Sequence, residues 1–108
     1  MTDGKPFRKD PLRLIGSRDA QTGQVYFPPR PLAVDGSLRA TEEIELSPQG
    51  TLYSWTRFAG AFYGQIDLPE GVRIQCIIED EAPEIGAAYK VVTVTEPSGD
   101  ETWRFARV

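Results

Sequence analysis

The sequence predicts an all-β protein centred on a small five-stranded barrel, and three observations support that prediction. Beyond residue 42 the chain is a succession of short runs rich in β-branched and aromatic residues. Turn residues, mostly Gly or Pro, close each run, and no segment shows convincing helical periodicity. Five such runs follow residue 50, and many short strands at regular spacing imply a sandwich or a small barrel. Five strands in about 60 residues favour the compact barrel, with the five-stranded OB-fold as leading candidate.

Each element has its own local reason. Residues 1–11 hold Gly4, Pro6 and Pro11 among charges and read as an extended tail. Residues 12–40 form an arm with two short apolar pieces, Leu12-Arg13-Leu14-Ile15 and Val25-Tyr26-Phe27. Pro28, Pro29 and Pro31 then forbid a regular helix and favour an extended polyproline-like segment. The barrel is assigned to residues 41–108. Ile44-Glu45-Leu46 alternates before a Ser-Pro-Gln-Gly turn, and residues 51–58 form the next strand. Phe62, Gly64, Ile66 and Leu68 share one parity. After the Pro69-Glu70-Gly71 turn, Val72, Ile74, Cys76 and Ile78 do the same, so the two runs read as a hairpin. Residues 89–94 and 103–108 supply the last two strands, with a polar bend at residues 79–86 before them.

Composition narrows the function classes. The chain has 108 residues, one domain's worth, and one cysteine, which excludes an internal disulfide framework. Its start is polar and no apolar run reaches the ~18 residues of a membrane span, so a cytoplasmic protein is expected. The net charge of −4 is uneven. Residues 1–40 carry seven Lys/Arg against four Asp/Glu, and residues 41–108 carry five against twelve. An acidic body disfavours general nucleic-acid binding, which draws much of its affinity from phosphate contacts.

Catalytic residues are scarce. There is no histidine, the commonest general base and metal ligand. Cys76 has core parity, and Glu79-Asp80-Glu81 reads as a solvated turn without the spacing of a calcium loop. An autonomous enzyme is not expected. Tyr53, Trp55 and Arg57 share one parity and are read as an outward face, the composition of a protein-interface hot spot.

Several short pieces resemble one family in order and spacing. They are Gly16-Ser17-Arg18, Gly23, Phe27-Pro28-Pro29-Arg30, residues 50–56, Ile66-Asp67-Leu68-Pro69-Glu70-Gly71, Ile85-Gly86 and Trp103-Arg104-Phe105. Over residues 14–108 the chain resembles the acyl-CoA-associated OB-fold proteins, in which a rubredoxin-like zinc ribbon precedes the barrel. The resemblance implies a non-catalytic accessory subunit that docks on a thiolase-like or ketosynthase-like enzyme and helps hold an acyl-CoA. The contact set it suggests is Arg18, Phe27, Arg30, Tyr53 and Trp55, with arginines for carboxylates or CoA phosphates and rings as apolar anchors.

Two departures stand out. The ribbon cysteines are absent, Asp19, Thr22, Ala33, Asp35 and Gly36 occupying the turns, so zinc is not expected and the arm reads as metal-free. The connection at residues 58–61 is also shorter than the family's loop. Two alternatives accompany this reading: a single-stranded nucleic-acid binder, and a homo-oligomer paired through exposed strand edges.

Overall fold

A computed structural model describes residues 6–33 and 37–108. It contains nine β-strands and, among the described residues, no helix. Four short strands come first: β1 (Phe7–Arg8), β2 (Arg13–Arg18), β3 (Val25–Tyr26) and β4 (Glu42–Glu45). They form an antiparallel sheet in which β2 pairs with each of the other three. β4 lies beyond the expected boundary at residue 41, yet it pairs with β2 and with no barrel strand.

The remaining strands are β5 (Gln49–Phe58), β6 (Ala61–Asp67), β7 (Arg73–Glu79), β8 (Ala88–Thr95) and β9 (Glu101–Arg107). They close into a barrel in the order β5-β6-β7-β9-β8, the small all-β, OB-type barrel that the spacing of the runs predicts. The expected β6–β7 hairpin is present, with Ile66 opposite Ile74 and Gly64 opposite Cys76. Its turn is closed by the Leu68 and Gly71 amides, which donate to Val72 and Leu68 carbonyls at 3.0 Å each. Closure is lopsided. β8 and β9 pair over seven positions, whereas β7 and β9 meet, in parallel, only at Ile78–Phe105 and Glu79–Ala106.

One core serves both parts. Phe7, Leu14, Val25 and Leu46 from the arm side cluster with Leu52, Ile66, Ile74, Ile78, Tyr89 and Phe105 of the barrel. Each such aliphatic or aromatic side chain contributes about 1.5–3 kcal/mol on burial. Gly50 makes the tightest approach: a Cβ there would lie 2.5 Å from the Asp67 carbonyl oxygen and 2.7 Å from Ile66. Ions tie the outer surfaces together. Arg8 pairs with Glu43, and Lys9 Nζ reaches Glu101 at 2.9 Å, so basic groups of the first 40 residues meet acidic groups of the later chain.

Candidate functional site

The two predicted aromatic contacts, Tyr53 and Trp55, lie two residues apart on β5 but not on one face. The register against β6 runs Leu52–Ile66, then Ser54–Gln65 and Trp55–Gly64, so β5 carries one extra residue at Tyr53. Such a bulge inverts the side-chain alternation beyond it. The expectation that Tyr53, Trp55 and Arg57 share an outward face is therefore corrected. Trp55 and Arg57 fall on the side of Gly64 and Phe62, the inward parity of β6. Trp55 meets Phe62 edge-on at 5.4 Å, and the Arg57 guanidinium lies 5.7 Å from the same ring. Tyr53 is on the outer face, where Arg73 stacks on its ring at 3.5 Å. Arg73 also donates to both Asp67 oxygens, at 2.6 and 3.1 Å, and holds that carboxyl below its ordinary range.

Beside Tyr53, the outer face of β5–β6–β7 forms a groove of about 510 Å³. Ser54, Thr56, Tyr63, Gln65, Gln75 and Ile77 line it, and Ser54 Oγ donates to Gln65 Oε1 at 2.8 Å. No Asp, Glu, Lys or Arg borders it, which sets it apart on an acidic surface. The β5–β6 connection extends the uncharged strip through Phe58, 70% exposed, Ala59, Gly60 and Ala61. Residues of this kind offer stacking and hydrogen bonds to a partner.

The arm places its three predicted contacts differently. Arg18 closes an exposed pair with Glu42 at 3.0 Å. Phe27 is half-buried and packs edge-on against Trp103 at 5.5 Å, helping to cover the core. The Arg30 amide donates to the buried Ser17 hydroxyl at 2.8 Å, its carbonyl accepts from Thr41, and its side chain is exposed. Among the described residues, no hydrogen bond, ion pair or ring contact joins Arg18, Phe27 or Arg30 to Tyr53 or Trp55.

The ribbon-like turns have a fastening of their own. The first turn is closed by the Gly23 amide on the Asp19 carbonyl at 2.7 Å, and the second by the Ala33 amide on Arg39 at 2.9 Å. Between them the Asp19 carboxylate, 1% exposed as a residue, receives Arg39 Nη2 at 2.7 Å and Nε at 3.2 and 3.3 Å. The guanidinium holds Asp19 well below the usual carboxylate range. Zinc does not fit these residues. The described turn positions offer neither thiolate nor imidazole, and Arg39 already occupies both oxygens of Asp19. Asp35 and Gly36 lie outside the described residues.

Cys76 is packed against the core, and burial pushes its thiol up to about 12. The Glu79-Asp80-Glu81 bend, read as a solvated turn, contains two tied members, Glu79 paired with Arg104 and Asp80 within a network of its own. Asp80 accepts from the buried Tyr89 hydroxyl at 2.6 Å and from Arg107 at 3.0 Å. Nothing in the sequence announces that network, because Tyr89 and Arg107 become neighbours only through the β8–β9 pairing.

No family model and no curated protein matches the sequence. Among solved structures, the chain is similar to one described as "Ltp2-ChsH2(DUF35) aldolase", with a TM-score of 0.71 and 20% sequence identity. The likeness covers 88% of this chain and 84% of that one, so it spans the arm's sheet as well as the barrel. At this identity what is shared is the fold: a small strand-built arm on a closed OB-type barrel.

Proposed function

We propose that this protein is a non-catalytic accessory subunit that docks on a thiolase-like or related acyl-CoA enzyme. The observation that supports the reading most is the fold-level similarity to a chain of a DUF35-containing aldolase assembly along nearly the whole length. The site is consistent with it: an uncharged, aromatic-flanked groove on an acidic barrel, with the chain's only thiol partly buried against the core. Tyr53 and the groove provide the apolar contact on the outer face, Trp55 a second contact at the barrel rim, and Arg18 and Arg30 the cations on the arm. Phe27 acts from beneath, fixing the segment that carries Arg30. Arginine forks match the phosphates of an acyl-CoA or the carboxylates of the partner.

Co-expression with a thiolase-like enzyme encoded beside it, followed by affinity purification and calorimetry with acyl-CoA, tests the proposal. A stoichiometric complex weakened at least tenfold by Tyr53→Ala with Arg30→Ala is expected. If the folded wild-type protein shows no co-purification and no acyl-CoA binding, the proposal is overturned.

A further inference from the structure

The barrel is closed, yet one stretch of β5 has a neighbour on one side only. On the β8 side, pairing covers Gln49, Gly50 and Thr51 and ends with reciprocal amide bonds between Leu52 and residues 86 and 87. From Tyr53 to Phe58, among the described residues, β5 pairs with β6 alone.

The hairpin turn fixes which backbone groups face that open side. Ala59 and Gly60 both have positive φ, 54° and 82°, the conformation of a two-residue type I′ turn between Phe58 and Ala61. Such a turn makes its flanking pair the hydrogen-bonded one, and the pattern then alternates along the strand. Phe58 and Thr56 therefore spend their N–H and C=O groups on β6, while Arg57 and Trp55 turn theirs outward. Leu52 obeys the same rule, since its amide goes to Ala87.

This edge is lightly protected, with Arg57 its one charge. Between Tyr53 and Phe58 there is no proline, no lysine and no acidic residue, and the bulge sits at the far end. Trp55 and Phe58 are 41% and 70% exposed. The edge also matches itself. When two copies run antiparallel about Thr56, each Trp55 lies opposite the partner's Arg57, and each such pair exchanges both N–H···O bonds. Their side chains share a face, so a guanidinium meets an indole and the two arginines are not opposed.

We propose that two copies of this chain associate through the β5 edge in this register, extending the β5–β6–β7 sheet across a two-fold axis at Thr56. The inference does not depend on the accessory-subunit reading: Tyr53 and the groove, on the opposite face, stay outside the Trp55–Arg57 contact, and Trp55 is the one residue that both readings use.

Sedimentation velocity over a range of concentrations gives the first test. The wild-type mass should rise toward that of two chains. Arg57→Pro removes an outward amide without touching the β6 ladder, and should weaken association at least tenfold; Arg57→Ala, which keeps the amide, should weaken it less. Circular dichroism confirms that both variants are folded. In a Cys76→Ala background, Thr56→Cys should form an intermolecular disulfide in air, because the two Thr56 positions face each other in a non-hydrogen-bonded pair. Arg57→Cys should not, since it faces Trp55. A wild-type monomer at every concentration, or equal crosslinking by the two cysteine variants, would refute the pairing.

Discussion

Arg39 reaches across from the second turn of the arm and binds both carboxylate oxygens of Asp19 in the first, with its Nη2 2.7 Å from Oδ2. Two loops whose described residues offer no metal-binding set are thus fastened by an ion pair with a buried carboxylate and a partly exposed guanidinium. Removing Arg39 leaves the Asp19 carboxylate buried without compensation, so the pair is more costly to break from that side than its net worth suggests.

The pH dependence of stability should report this. Hydrogen bonding to Arg39 holds the Asp19 carboxyl of the folded protein well below its ordinary range. The folded state therefore binds fewer protons, and the stabilisation is present above the ordinary carboxylate pKa and lost as pH falls below it. In urea unfolding between neutral pH and about pH 3, wild type should lose more stability than Asp19→Asn, which should start lower at neutral pH. Parallel curves for the two proteins would mean that the pair contributes nothing.

Tyr89 predicts a second effect, away from the arm. Its buried hydroxyl donates to Asp80 at 2.6 Å and accepts from the Glu84 amide at 3.1 Å. Tyr89→Phe strands that amide and should cost about 1–3 kcal/mol, with faster amide exchange confined to residues 80–87. An unchanged melting temperature would show that the bend holds without the hydroxyl.

Gly50 and Gly64 should differ although both lie in strands of the same barrel. A methyl at Gly50 meets the Asp67 backbone, whereas one at Gly64 meets the movable Ile78 side chain at 2.8 Å. Gly50→Ala should cost about 3 kcal/mol and Gly64→Ala about 1, measured by denaturant titration. The reverse order would show that the β5–β6 approach relaxes easily.

The Cys76 thiol should resist alkylation while the protein is folded. With the pKa raised to about 12, the thiolate fraction at pH 8 is on the order of one in ten thousand. Iodoacetamide should label it only after unfolding in urea, and stoichiometric labelling of native protein would contradict the core placement.

The barrel was legible because its cue is local. Ile66, Ile74, Ile78 and Phe105 fall at core parity in short runs separated by turns, and all four are buried. The site was less so. Counting by twos puts Tyr53 and Trp55 together, and a single inserted residue at Tyr53 separates them, which no composition cue announces. Arg18 and Phe27 read as a docking strip, but Glu42 and Trp103, which engage them, are 24 and 76 residues away in sequence. The aspartate in the first turn was noted only as a poor substitute for cysteine. Its partner, Arg39, lies twenty residues on and becomes visible only when the turns meet.

The short parallel contact between β7 and β9 has a mechanical meaning. A ring fastened by two residue pairs, with the Arg104–Glu79 ion pair beside them, is a bracelet with a clasp. Thermal opening should concentrate at that clasp, since few bonds must break there while the long β8–β9 zipper stays shut. The Phe105 amide, which faces β7, should therefore exchange with solvent sooner than its complete burial suggests, while the Ile78 amide, paired with Phe62 on β6, stays protected, and the barrel should open like a hinged band before it melts.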